Sequence, residues 1–227
     1  QAGDCPGLQV IAWPGLPYLR RAAMATSAKS ESHSGTDASA PWLVGHDCAW
    51  GSEQPLPMVA MEAALLRDLL QRHGQQVQQF RLAAQLHGRA TALVACCHGG
   101  AEQAQFDHAL HLGQQPLTVR QIVQENIGPP LALLPACHAG RTDEDAAGNA
   151  LGVAAAFMLS GTQVVVASSK AVPDLLQPWL STLTVWHAMQ GLPHHEAATL
   201  AREQFARLEF PEDYRRWLQQ ALPQALA

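Results

Sequence analysis

Three short apolar runs constrain this chain more than anything else in it: ALVACC after Thr91, LALLPAC from Leu131 and the β-branched TQVVVASS from Thr162. Each is bounded by turn residues and has the length of a strand buried on both faces. The segments around them carry helical patterns instead. In MVAMEAALLRDLLQRHG (58–74), Met61, Leu65, Leu66 and Leu69 recur at helical spacing, and Gly74 stands where a C-cap belongs. LTVRQIVQEN (117–126) reads as a helix with Thr118 as N-cap, and NALGVAAAFMLSG (149–161) as a helix whose small residues allow close packing. LLQPWLSTLTVWHAMQ, HHEAATLAREQFARL and PEDYRRWLQQAL read as three amphipathic helices.

Nearer the start, LQVIAWPGLPYL (8–19) reads as a strand broken by Pro-Gly, WLVGHD (42–47) as a short strand, and QVQQFRL as a moderately alternating one. Pro135 weakens the placement of LALLPAC inside a sheet, because proline cannot donate to a ladder. SAKSESHSGTDASAP (27–41) is a flexible polar loop and the best candidate for a cleavable surface segment. Strand and helix alternate through the middle of the chain, which predicts a mostly parallel sheet covered on both faces. No internal repeat is visible.

Composition narrows the class. The 227 residues suffice for one sizeable domain, and 48% hydrophobic with 15% charged residues is a globular balance. A net charge of −5 supplies no basic field, so nucleic acid is not an expected partner. No apolar stretch approaches the roughly 18 residues of a membrane span, and no signal peptide is read at the start. The chain begins without Met and is read as part of something longer. The cysteines number five, an odd count in a long chain, so no disulfide framework is expected. A reducing cytoplasm is the simplest compartment.

Two of the apolar runs end alike: Cys96, Cys97, His98, Gly99 in one, Cys137, His138 and then glycine in the other. In a parallel sheet ligands collect beyond the carboxyl ends of the strands, where both groups fall. Zinc is one reading, but contiguous Cys and His diverge along a strand, so each group offers one ligand at best. A nucleophile with its base is another. Cys137 would supply the thiol, His98 the imidazole, and the amides of Gly99 and Cys137 the oxyanion donors. The bland reading makes Cys137 an inert core thiol and His98 a turn residue, and residue types alone leave it open. Cys96 and Cys97 should point to opposite faces as packing residues.

The blocks LVACCHGG, LLPACHAG, GNALGVAAAFMLSGTQVVVASS and KAVPDLL, with PLPMVAMEAALLRDLL upstream, resemble in order and spacing the CHAT family of caspase-like, separase-related cysteine peptidases. The likeness runs from about Leu8 to about Phe205. It implies an α/β/α sandwich with a mostly parallel central sheet, and a single CHAT-type peptidase domain over 1–227. It implies His98 as general acid and base and Cys137 as nucleophile, with no metal or organic cofactor. His138 is then a loop residue.

Two departures bear on substrate preference: Lys170 stands where family members often carry an aromatic residue, and RTDEDAAGN differs from the usual loop. By the same resemblance Asp174 lines the pocket for the residue before the scissile bond and would favour Arg or Lys. It also stands where an N-cap of the following helix belongs, and the two roles are compatible. Glu144 and Asp145 read as a solvated loop. Ser168 and Ser169 would present backbone groups to an extended substrate.

The partners implied are a protein substrate and a regulatory or sensor domain or partner protein, with a bacterial defence or cell-death role by analogy, and no membrane. The rival from another class is a catalytically silent CHAT-like interaction module. A metal-dependent hydrolase is a third.

Overall fold

The computed structural model describes residues 8–11, 40–47, 56–80, 86, 90–100, 108–112, 116–136, 139, 152–168 and 173–226. Among them the strands are β1 (Leu8–Ile11), β2 (Trp42–His46), β3 (Val77–Phe80), β4 (Ala92–Cys96), β5 (His98–Gly100), β6 (Ala109–His111), β7 (Leu117–Thr118), β8 (Leu131–Leu134) and β9 (Val164–Ser168). The helices are α1 (Pro57–Arg72), α2 (Val119–Gln124), α3 (Val153–Leu159), α4 (Gln177–Met189), α5 (His194–Arg207) and α6 (Glu212–Ala225). The main sheet has the order β1-β9-β8-β4-β2-β3. Strands β9, β8, β4, β2 and β3 run parallel, and β1 pairs antiparallel on β9. This is the α/β/α sandwich expected of a caspase-like chain.

The expected central strands are central for a plain reason: β4 and β8 are buried at every residue. Alternation then divides their side chains between two cores. Ala92, Val94 and Cys96 face one layer, built with α1, α4, α5 and α6. Leu93, Ala95 and Cys97 face the other, built with α2 and α3. The two adjacent thiols thus lie on opposite faces, as strand geometry requires. Pro135 falls just after β8 ends, so the ladder loses no donor to it.

Local signals fix several boundaries. Gly74 follows α1 with φ of 71°, a conformation that glycine adopts without penalty. Thr118 caps α2 in a full capping box: its hydroxyl accepts from Gln121 N, and the Gln121 side chain accepts from Thr118 N at 2.9 Å. The helix read over 149–161 is described from residue 152 and spans Val153–Leu159. At Gly128 a Cβ would lie 1.9 Å from the Ser160 carbonyl oxygen, so only glycine permits this approach of the β8 lead-in to the end of α3. No helix among the described residues is long and apolar enough to cross a membrane.

Candidate active site at the strand tips

Strands β4 and β8 are hydrogen-bonded neighbours, in register from Ala92 with Leu131 to Val94 with Leu133. The sequence interval between these partners is the interval between His98 and Cys137. The two residues therefore lie the same number of residues after the register partners Val94 and Leu133 of adjacent parallel strands. Cys137 and His138 lie outside the described residues, as do Ser169, Lys170, Glu144, Asp145, Cys5, Cys48 and positions 27–39 of the polar loop.

The backbone of His98 does not continue β4. Between Cys97 and His98 the chain leaves the main sheet and enters a second, three-stranded antiparallel sheet of order β5-β6-β7. There His98 pairs with His111, Gly99 with Leu110 and Gly100 with Ala109. The small sheet is anchored from below. Leu110 and Leu117 pack in the same core as Cys97, and Val119 N donates to the His108 carbonyl at 3.1 Å. Both His108 and His111 are buried. Thus the candidate base and the candidate oxyanion donor Gly99 share a strand whose position depends on β6. Strands of two or three residues carry no readable periodicity, so the sequence hides this platform.

Cys97 is no rival nucleophile. Its thiol is fully buried, which pushes it well above the usual thiol range, and the Asp47 and Glu62 charges push the same way. Cys96 is raised for the same first reason, burial, then by Glu62. Both are free thiols kept in the protonated, unreactive form. Among the described residues no three His, Cys, Asp or Glu side chains gather as a metal cluster.

Asp174, half-buried beyond the end of β9, has a different local role from the one its sequence neighbours suggest. The following helix begins with Leu176 at the N-cap and has no side-chain cap. Asp174 instead accepts, through Oδ2, a 3.0 Å hydrogen bond from Met58 N in the first turn of α1. That helix has Leu56 at its own N-cap, with no side-chain bond there either. Asp174 thus supplies an acceptor to an orphan amide from across the fold. Ser168 ends β9, buried, and its ladder partner is Leu8 of β1. On that side of β9 the position expected for an extended substrate is held by the chain's own strand.

Sequence reasoning missed Glu62. It is fully buried in α1 and hydrogen-bonded to Ser181 of α4. The signal was present: Glu62, Leu66 and Leu69 share the i, i+4, i+7 face.

A mostly parallel sheet covered by helices on both faces is the α/β/α sandwich of the caspase-like fold class. Within that class, the family model for the CHAT domain matches residues 16–222, and the chain belongs to the CHAT domain family. No curated protein matches the chain.

Proposed function

We propose that the chain is a cysteine endopeptidase that uses His98 and Cys137 as a dyad. One observation carries the reading: His98 and Cys137 follow the register partners Val94 and Leu133 of two hydrogen-bonded parallel strands by the same number of residues, past the carboxyl ends where such sheets gather their chemistry. In the proposed reaction the Cys137 thiol gives its proton to the His98 imidazole as sulfur attacks the scissile carbonyl carbon. The amides of Gly99 and Cys137 receive the oxyanion. The C–N bond then breaks, His98 returns the proton to the leaving amine, and a thioester remains. Water, deprotonated by His98, releases the acid and restores the thiol.

Asp174 retains acceptor capacity after its bond from Met58, since a carboxylate offers about four lone-pair sites. It would favour a basic residue before the cut. The partners of this reading are a protein substrate and a regulatory or sensor element that governs access.

Cys137→Ala should lower cleavage in a peptide library by roughly four orders of magnitude or more, with the fold retained by circular dichroism. A folded variant that still cleaves sinks the proposal. Absence of cleavage in the wild type, with no selective thiol-probe labelling of Cys137, favours the silent interaction module instead.

A further inference from the structure

Asp174 is shared between two parts of the fold. The proposed reaction uses it as the acid that favours a basic residue before the cut. The structure gives it a second engagement, at the amino end of α1. Pro57 and Met58 open that helix, its N-cap is Leu56, and leucine has no side-chain acceptor to offer. No acidic residue stands in its first turn. The first amides of a helix have no partner within it. Asp174 Oδ2 takes one of them, accepting from Met58 N at 3.0 Å, and brings a carboxylate to the helix's positive end.

A nearer helix end competes for the same group. Asp174 stands just before Leu176, the N-cap of α4, and that helix also lacks a side-chain cap. The carboxylate nonetheless bonds to α1, 116 residues away in sequence. A second link joins the two helices one turn further along: Glu62, four residues after Met58, is hydrogen-bonded to Ser181 of α4. Residues at i and i+4 share a helix face, so both links leave α1 from one side. The orientation of the Asp174 side chain is therefore set by α1. It remains within reach of solvent, since Asp174 is half-buried and its neighbours Pro173 and Leu175 are exposed.

We propose that the first turn of α1 positions the specificity carboxylate: the Met58 N–H orients Asp174 so that its second oxygen receives a guanidinium or ammonium group, and that cation in turn steadies the helix end. Met58 is a positioning residue, acting through Asp174. The inference rests on the peptidase reading for Asp174 as the acid that meets a basic residue. It adds a coupling between that contact and α1, which packs in the long-helix layer. A carboxylate already fixed in place spares the ligand the cost of ordering it. Linkage makes the coupling reciprocal: the factor by which the intact bond tightens the cation is the factor by which the cation holds the bond closed.

Proline has no N–H and is tolerated in the first turn of a helix. Met58→Pro therefore removes the donor, while Met58→Ala keeps it and removes only the side chain. The probe is N-acetyl-argininamide, with N-acetyl-norleucinamide as the neutral control, titrated by NMR into the 227-residue chain. Met58→Pro should bind the arginine probe about fivefold more weakly than Met58→Ala. Asp174→Asn should bind it about tenfold more weakly than the wild type. In the wild type, saturating arginine probe should slow hydrogen exchange at the Met58 amide by the same factor of about five. The norleucine probe should leave that amide unchanged.

Equal affinities in Met58→Pro and Met58→Ala overturn the proposal, as does a Met58 amide indifferent to saturating arginine probe. The wild-type exchange decides alone if Met58→Pro does not fold. An arginine probe that fails to bind, or binds Asp174→Asn as well as the wild type, overturns it together with the basic preference. Selective labelling of Cys137 by a thiol probe still judges the peptidase reading by itself.

Discussion

The two faces of the central sheet are built to different standards. One is covered by α1, α4, α5 and α6, helices of 16, 13, 14 and 14 residues. They bring large rings together: Trp186 lies edge-on to Tyr214 at 5.7 Å, and Tyr214 meets Trp217 at 5.5 Å. The other face is covered by α2 and α3, of 6 and 7 residues, with Ala154 and Ala156 among their buried residues. Its one large aromatic on those helices is Phe157. The long-helix face supplies bulk, and the short-helix face supports the small sheet that carries His98. Stability and site geometry are thus lodged on opposite sides of β4.

That division can be attacked from either side. The largest effect on stability is expected from Leu66→Ala on α1, where a side chain with no exposure leaves a cavity. It should cost about 2–5 kcal/mol in urea unfolding and leave the reactivity of the folded Cys137 thiol unchanged. A loss of reactivity in the folded fraction would erase the distinction between the faces.

Next is Gly128→Ala, whose added methyl meets the Ser160 carbonyl. It should cost about 1–3 kcal/mol and speed amide exchange in β8 and α3 before α1 or α6. Uniform acceleration across the chain would show that the two layers unfold as one.

Smallest is Thr118→Ala, which removes the N-cap of α2 and the hydroxyl partner of Gln121. About 1 kcal/mol is expected, with faster exchange concentrated in β5, β6 and β7. If those amides are unmoved, the small sheet does not depend on the capped helix beneath it.

Much of the division was legible beforehand, and the reason differs by element. Runs such as ALVACC and LALLPAC announce burial on both faces, and alternation alone sends Cys96 and Cys97 apart. Thr118 and Gly74 are local signals, read from a few neighbours. Long-range pairings carry no such mark. Nothing in Leu8–Ile11 announces that it lies antiparallel on β9, and nothing in Asp174 announces that it serves a helix 116 residues away in sequence. At the site, His98 was legible as a strand-tip residue, but not its transfer to a second sheet. That transfer depends on β6, whose three residues are set by a partner strand rather than by their own pattern.

The split of the two thiols also limits how β4 can vary. Side chains on a strand alternate with a period of two, so a slip of one residue would exchange the layers seen by every position from Ala92 to Cys97. The slip would present Cys97 to the Glu62 carboxyl and carry the imidazole one rung along. For this strand no adjacent alignment is harmless. An insertion or deletion within it would misaddress the chemistry even if the resulting core still packed.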